Sequence, residues 1–174
     1  MIAVLPSTPP DAADTRRALT GAEIIADLKR TLRLFQDKGW PQAERFLMHA
    51  VVDHGRHYVG ISRPKGYRKR KARQCFWNAA DLALTDRGTY VEGYASSPTG
   101  GGPTHHAWVT LDGVHAVDVT WNAPADCHYV GIAFPKEIMA RHGLQEGHWV
   151  PLLPDYEPSA ALRALLAAAK SDAA

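Results

Sequence analysis

Two cysteines and nine histidines are the side chains of this 174-residue chain best suited to nucleophilic or proton-transfer chemistry. Cys75 follows a cationic run, RPKGYRKRKAR (63–73), and opens the stretch CFWNAADLAL, whose spacing predicts a helix over 75–86 that Gly88 stops. A thiol at a helix start meets unsatisfied backbone N–H groups and the positive end of the helix dipole. Seven cations among the eleven residues from Arg63 to Arg73 act in the same direction. Both effects favour the thiolate, which is the nucleophilic form of cysteine. The competing reading is a buried structural cysteine, a common fate of this residue type.

A nucleophilic thiol needs a base, and the base needs an orienting group. His105 and His106 leave the Gly/Ser/Pro-rich segment SSPTGGGPT and enter a strand-like run, HAWVTL (106–111); HAVDVTW (115–121) follows an Asp-Gly turn. Side chains on a strand alternate between faces. Ala107, Val109 and Leu111 form one apolar set, Val117 and Val119 another, and all are odd-numbered. If they share a face, His106, Trp108 and Thr110 share the other with Ala116, Asp118 and Thr120. A three-residue loop, Asp112-Gly113-Val114, gives that register and sets His106 diagonal to Asp118. A two-residue Asp-Gly turn shifts the register by one and brings His105 to Asp118 instead. The apolar pattern favours His106, and His105 is left without a role.

The remaining elements must hold these groups. Thr20 and Glu23 have capping-box spacing, and Ile24, Ile25, Leu28, Leu32 and Phe35 follow with helical periodicity up to Gly39. A second helix is expected over 41–53, with His49 and His54 as surface or core histidines. Strands are expected over 89–95, 106–111, 115–121, 129–134 and 149–153, and further helices over 135–143 and 159–170. Helices first and antiparallel hairpins later give an α+β fold, with the N-terminal helices packed on a small antiparallel sheet. Residues 1–14 are expected to be a disordered arm, 15–157 a single catalytic domain, and 158–174 a helical tail.

Four pieces stand in order: CFWNAADLAL with Cys75, YVEGYA with Gly93-Tyr94, HHAWVTLDG with His106-Ala107-Trp108, and AVDVTW with Asp118-Val119-Thr120. Together they resemble the catalytic core of the transglutaminase-like superfamily of papain-related cysteine enzymes over about 60 residues, 74–134. The resemblance implies a Cys75–His106–Asp118 triad for acyl transfer or hydrolysis at the amide bond of a peptide or protein, without a cofactor or metal. It covers the core alone: the chain has no acidic calcium loop, and Cys75 is followed by Phe where the crosslinking enzymes usually carry Trp. Peptidase, amidase, deamidase and transglutaminase-type reactions all stay open. The Cys75 backbone N–H is one oxyanion donor by position, and Gln74 or Asn78 could supply a second. Trp108 is expected beside the triad, in contact with the site. Trp77 and Trp121 read as core aromatics before substrate platforms.

Net charge of +2 excludes an obligate polyanionic partner on overall balance, although the 63–73 strip offers a local contact for an anionic partner, or else is a solvated loop. Aromatic interleaving in it is thin, which argues against nucleic acid. No apolar run reaches bilayer length, no secretory leader is read, and two cysteines suit reduced thiols, so a cytoplasmic location without membrane contact is expected. Three alternatives differ in class. One is an arylamine acetyltransferase-type enzyme using the same three residues. Another is a zinc site drawn from Cys75, His105, His106, Cys127 and His128. The last is a catalytically inactive binding module that works through the basic strip.

Overall fold

The computed structural model describes residues 17–39, 45–142, 144–145, 148–149, 151–153, 162–164 and 166. The expected arm over 1–14 lies outside them, as does most of the helix expected over 159–170, of which residues 162–164 and 166 are helical. The fold is mixed α+β, with helices packed on a curled five-stranded sheet.

Helix α1 (Gly21–Asp37) starts where its capping box predicts. Glu23 N donates to Thr20 Oγ1 at 3.3 Å, and Thr20 N donates to Glu23 Oε2 at 2.8 Å. A cap of this kind contributes about 1 kcal/mol. Ile24, Leu28 and Leu32, spaced four apart, are the apolar side chains it buries. Helix α2 (Phe46–His54) buries Leu47, Ala50 and Val51; its expected start at 41–44 lies outside the described residues.

Strand β1 (Arg56–Gly60) was not expected from the sequence. It is five residues long, its inward positions are Tyr58 and Gly60, and it runs into the cationic loop. Helix α3 (Cys75–Leu84) and strands β2 (Thr89–Ser96), β3 (Thr104–Thr110), β4 (His115–Ala116) and β5 (His128–Phe134) follow. Helix α4 (Lys136–His142) and a short hairpin of β6 (Leu144–Gln145) and β7 (His148–Trp149) come next, where a fifth strand over 149–153 was expected.

Strand order is β3-β2-β5-β1-β4. The expected all-antiparallel sheet is corrected here, because β1 and β4 pair in parallel with Val59 beside His115 and Gly60 beside Ala116. The sheet also curls back on itself. Val109 and Val117 exchange both backbone hydrogen bonds, at 3.2 and 2.8 Å, so the end of the last strand meets the first. That antiparallel register is the one a three-residue loop gives, with 106 facing 120. The strand expected over 115–121 ends early because Asp118 turns the chain. Its Oδ1 accepts from Thr120 N at 2.6 Å and Trp121 N at 3.3 Å, the local carboxylate-to-backbone bonding that replaces a ladder.

Alternation then separates two cores. On the helix side, Tyr90, Tyr94, Ala107, Val109, Val130 and Phe134 meet the apolar faces of α1, α2 and α3. On the other side, Tyr58, Val91, Ala95, Trp108, Ala116, Cys127 and Tyr129 form a smaller cluster. Leu111 belongs to neither and is 51% exposed, since β3 ends at Thr110. Helix α3 lies on β2 and β3 through Ala79, Ala80 and Ala83, whose short side chains let the helix axis approach the sheet.

Candidate active site

Cys75 is the first residue of α3 and is half-buried. The preceding residue, Gln74, occupies the N-cap but makes no side-chain capping bond. A Ser, Thr, Asp or Asn there would occupy an N–H of the first turn; without one, those donors stay free to face an anion. Arg73 reaches this helix start with φ +63°, a conformation that non-glycine residues seldom adopt. Two contacts fix the loop just before this turn. Arg70 N donates to Val119 O at 2.6 Å, and Asn78 Nδ2 donates to Lys71 O at 2.8 Å.

His106 projects from β3 onto the face of the smaller cluster and is 2% exposed. Its Nε2–H donates to Asp118 Oδ2 at 3.0 Å. Asp118 is fully buried, and the same oxygen accepts from the Tyr129 hydroxyl at 3.2 Å. With Oδ1 taken by Thr120 N and Trp121 N, the carboxylate has four donors. Trp121 stacks on the imidazole, with ring centres 4.3 Å apart and planes 27° from parallel. Arg63 secures the turn from behind. Its Nε donates to Asp118 O at 2.9 Å, and a second guanidinium nitrogen donates to Trp121 O.

Burial alone would lower the His106 pKa, because it disfavours the cation. The hydrogen bonds of Asp118 and Cys75, and then their charges, outweigh it and carry the imidazole up to about 9. Burial pushes Asp118 the other way, but the His106 hydrogen bond and charge, with the two backbone N–H groups, hold it below the usual carboxylate range. Cys75 thus lies close enough to act on His106. Since Nε2 is committed to Asp118, Nδ1 is the nitrogen left for the sulfur. The arrangement places a sulfur, an imidazolium and a carboxylate in series, which can hold a proton near the sulfur and deliver it to a neighbouring group.

The two other polar candidates are placed differently. Asn78 is 3% exposed, and its amide donates to Lys71 O and, at 3.0 Å, to Thr120 Oγ1. It ties α3 to the loop and to the Asp118 turn. Gln74 is exposed beside Cys75. Trp108 is 1% exposed, packed edge-on to Tyr58 and tilted against Tyr129, with Nε1 unpartnered among the described residues. It packs beside the His106–Asp118 pair through Tyr129, from within the core. Trp77, by contrast, is exposed on α3.

His105 points to the opposite face of the sheet. Its Nε2–H donates to Glu92 Oε1 at 3.0 Å. Glu92 is fully buried and also accepts from Tyr90 OH, Leu152 N and Leu153 N at 2.8 to 2.9 Å. The doublet therefore serves two separate carboxylates. Cys127 is buried, its Sγ–H donates to Ala123 O at 3.2 Å, and burial pushes its pKa up to about 11. His128 pairs with His57, the ring nitrogens 3.3 Å apart. Beyond the Cys75–His106 contact, the five residues considered as zinc ligands are dispersed, and among the described residues no three His, Cys, Asp or Glu converge as a metal site.

A cleft of about 430 Å³ opens beside Trp121. Lys69 and Ala72 of the cationic loop form one wall, Ser97 to Thr99 of the Gly/Ser/Pro segment another, and Asn122, Asp126 and Cys127 lie on the far side. The cationic loop is ordered through its own contacts and not merely solvated. Arg63 holds the Asp118 turn, Arg70 pairs with Asp81 at 2.5 Å, and Lys69 donates to Asn122 Oδ1.

Tyr129, Arg63 and Glu92 carry this geometry without having been singled out from the sequence, and Trp121 had been read as core. Apart from Tyr90 beside Glu92, their partners are 11 to 61 positions away, many of them backbone groups that carry no residue signature. No described helix is long and apolar enough to cross a membrane. No family model matches the chain, and neither a curated protein nor a solved structure does.

Proposed function

We propose that the chain is a cysteine-dependent enzyme for acyl transfer or hydrolysis at an amide bond, of the transglutaminase-like kind within the papain-related fold. The observation that carries this reading is the buried imidazole of His106, held at Nε2 by the buried Asp118 carboxylate and acted on at its other side by Cys75 at the start of α3. That is the serial arrangement of nucleophile, base and orienting group which thiol catalysis needs.

Each component has a defined task. Cys75 Sγ attacks the amide carbonyl carbon and forms a C–S bond. The resulting oxyanion faces the free N–H groups of the α3 first turn. His106 gives its proton to the leaving nitrogen as the C–N bond breaks, and the amine departs. Water or a second amine then attacks the thioester, passes its proton to His106, and the thiolate leaves. Asp118 fixes the imidazole's tautomer and orientation, while Trp121 shields the His106–Asp118 hydrogen bond from water. Tyr129, bonded to Asp118, positions the carboxylate.

The test uses wild-type protein and Cys75→Ala with a panel of glutamine-containing and cleavable peptides, scoring ammonia release, amine incorporation and peptide cleavage separately. The expected outcome is one of these activities in wild type and none in Cys75→Ala. Equal turnover in both proteins refutes the thiol mechanism.

A further inference from the structure

The cationic strip divides into two groups in the structure. Arg63, Lys69 and Arg70 have internal partners, as described above. Lys65, Arg68, Lys71 and Arg73 are exposed, and their side chains have no hydrogen-bond or ion-pair partner among the described residues. Arg68, Lys71 and Arg73 alternate along the chain with Lys69 and Ala72, which line the cleft, and they lead directly into Cys75.

The concentration of charge is local. The strip carries seven cations and no acid, yet the whole chain is only +2, so the rest of the molecule is net negative. A solvated loop has no need for such a bias at one place, and here the loop is pinned in place by the Val119 and Asn78 contacts. Lys69 donates to the amide oxygen of Asn122, which brings no opposing charge. Asp126 is the only carboxylate among the residues lining the cleft. The floor is Trp121, with Pro98, Ala72 and Ala123 around it, a lining suited to chain segments with apolar stems.

We infer that the cleft is the acyl-donor subsite and that it selects acidic peptide segments, with Arg68, Lys71 and Arg73 meeting carboxylates on the residues next to the attacked amide. This inference rests on the thiol-enzyme reading above and adds the class of substrate. A peptide is favoured over nucleic acid because an acyl donor must bring an amide to Cys75 and because the loop holds a single aromatic residue, Tyr67, which is occupied by the Arg87 guanidinium 4.6 Å above its ring. The loop itself therefore offers a single strand no free stacking platform.

The experiment compares two tripeptidyl vinyl sulfones, identical except for Glu or Lys at the two positions next to the electrophile, and reads the second-order rate of Cys75 alkylation. Three cations within a Debye length act on both probes with opposite sign, so the Glu probe should react about tenfold faster at low salt. The ratio should fall toward one at roughly 0.5 M salt, where screening is short-ranged. It should fall below one in the Arg68→Glu/Lys71→Glu/Arg73→Glu variant. Using the ratio of the two probes cancels any change in intrinsic thiol reactivity. A ratio near one in wild type at low salt overturns the inference while leaving the enzyme reading intact. Protection of Cys75 by a short oligonucleotide at lower concentration than by an acetylated Glu-rich peptide overturns it in favour of nucleic acid. Failure of iodoacetamide to alkylate Cys75 ahead of Cys127 is the distinct result that removes the underlying reading.

Discussion

Replacing Asp118 by Asn tests the central geometry, because the effect has both a magnitude and a pH signature. The folded-state pKa of His106 stands at about 9 against 6.5 for an ordinary histidine. One pKa unit corresponds to about 1.4 kcal/mol, so proton binding to His106 contributes up to about 3 kcal/mol to stability. Because the folded value is the raised one, this contribution is complete below pH 6.5 and disappears as pH climbs through 9. The hydrogen bond of Asp118 is the largest of the influences that raise His106, so the substitution removes most of it. Asn retains an oxygen for Thr120 N and Trp121 N but turns an N–H toward His106 Nε2. The imidazole proton then moves to Nδ1, and the ring can no longer accept one from the thiol.

For a chain of this length, about 3 kcal/mol corresponds to a melting-temperature gap of roughly 6–12 °C. Denaturation of both proteins from pH 6 to pH 10 should show the gap narrowing by about that amount. Whatever gap persists at pH 10 reports the hydrogen bonds that do not titrate. Turnover on any confirmed substrate should drop by about 10⁴-fold at pH 7, as expected for a base held in the wrong tautomer. A stability gap that stays constant from pH 6 to pH 10 would show that Asp118 does not hold His106 protonated, and the argument fails there.

Other expected outcomes follow from the same contacts. Iodoacetamide at pH 7 should label Cys75 well ahead of Cys127, because a thiol with a pKa near 11 is about 10⁻⁴ ionised and Cys127 is also buried; mass spectrometry of the two peptides decides, and equal labelling refutes it. Tyr129→Phe should leave the fold intact, cost about 1 kcal/mol, and lower kcat with little effect on KM, since it removes one of four donors to Asp118. Arg63→Ala should destabilise the protein by about 1–3 kcal/mol and reduce turnover, with Arg63→Lys recovering only part, because two guanidinium nitrogens are in use. His106→Ala should slow Cys75 labelling, whereas His105→Ala should act chiefly on stability, by about 2–4 kcal/mol through the loss of a partner to a buried carboxylate; the opposite pattern would reverse their assignments.

What could be read from the sequence was local or periodic. The capping box fixed the start of α1 because both partners lie three residues apart. Odd and even numbering across β3 and the following segment gave a register that the Val109–Val117 bridge shares. The expected extent of β4 failed for a physical reason that the same residues contain: a carboxylate two positions before an N–H can compete with the ladder, and alternation patterns do not register that competition. Strand β1 was hidden because three of its five residues are exposed and its parallel partner comes 56 residues later. Charge counting saw the 63–73 strip as one object, but its division depends on which carbonyls and amides come within reach, and these belong to a turn some 50 residues away.

The histidine doublet shows why that division between local and distant information matters. Strand alternation sends His106 to one face and His105 to the other, and a buried carboxylate waits on each, Asp118 and Glu92. Both rings also reach the first turn of α3. His106 acts through Cys75, and His105 packs edge-on against Phe76 with ring centres 4.8 Å apart. One strand position therefore meets the residue that opens the helix, and its neighbour helps fix the height at which the helix start sits over the sheet. Glu92 extends the second function, because it binds the backbone of Leu152 and Leu153 as well as His105. The helix that carries the thiol is thus braced through β3 to a segment more than 70 residues further along. A single histidine could supply the base, but it could not also supply that brace, because successive side chains on a strand cannot share a face.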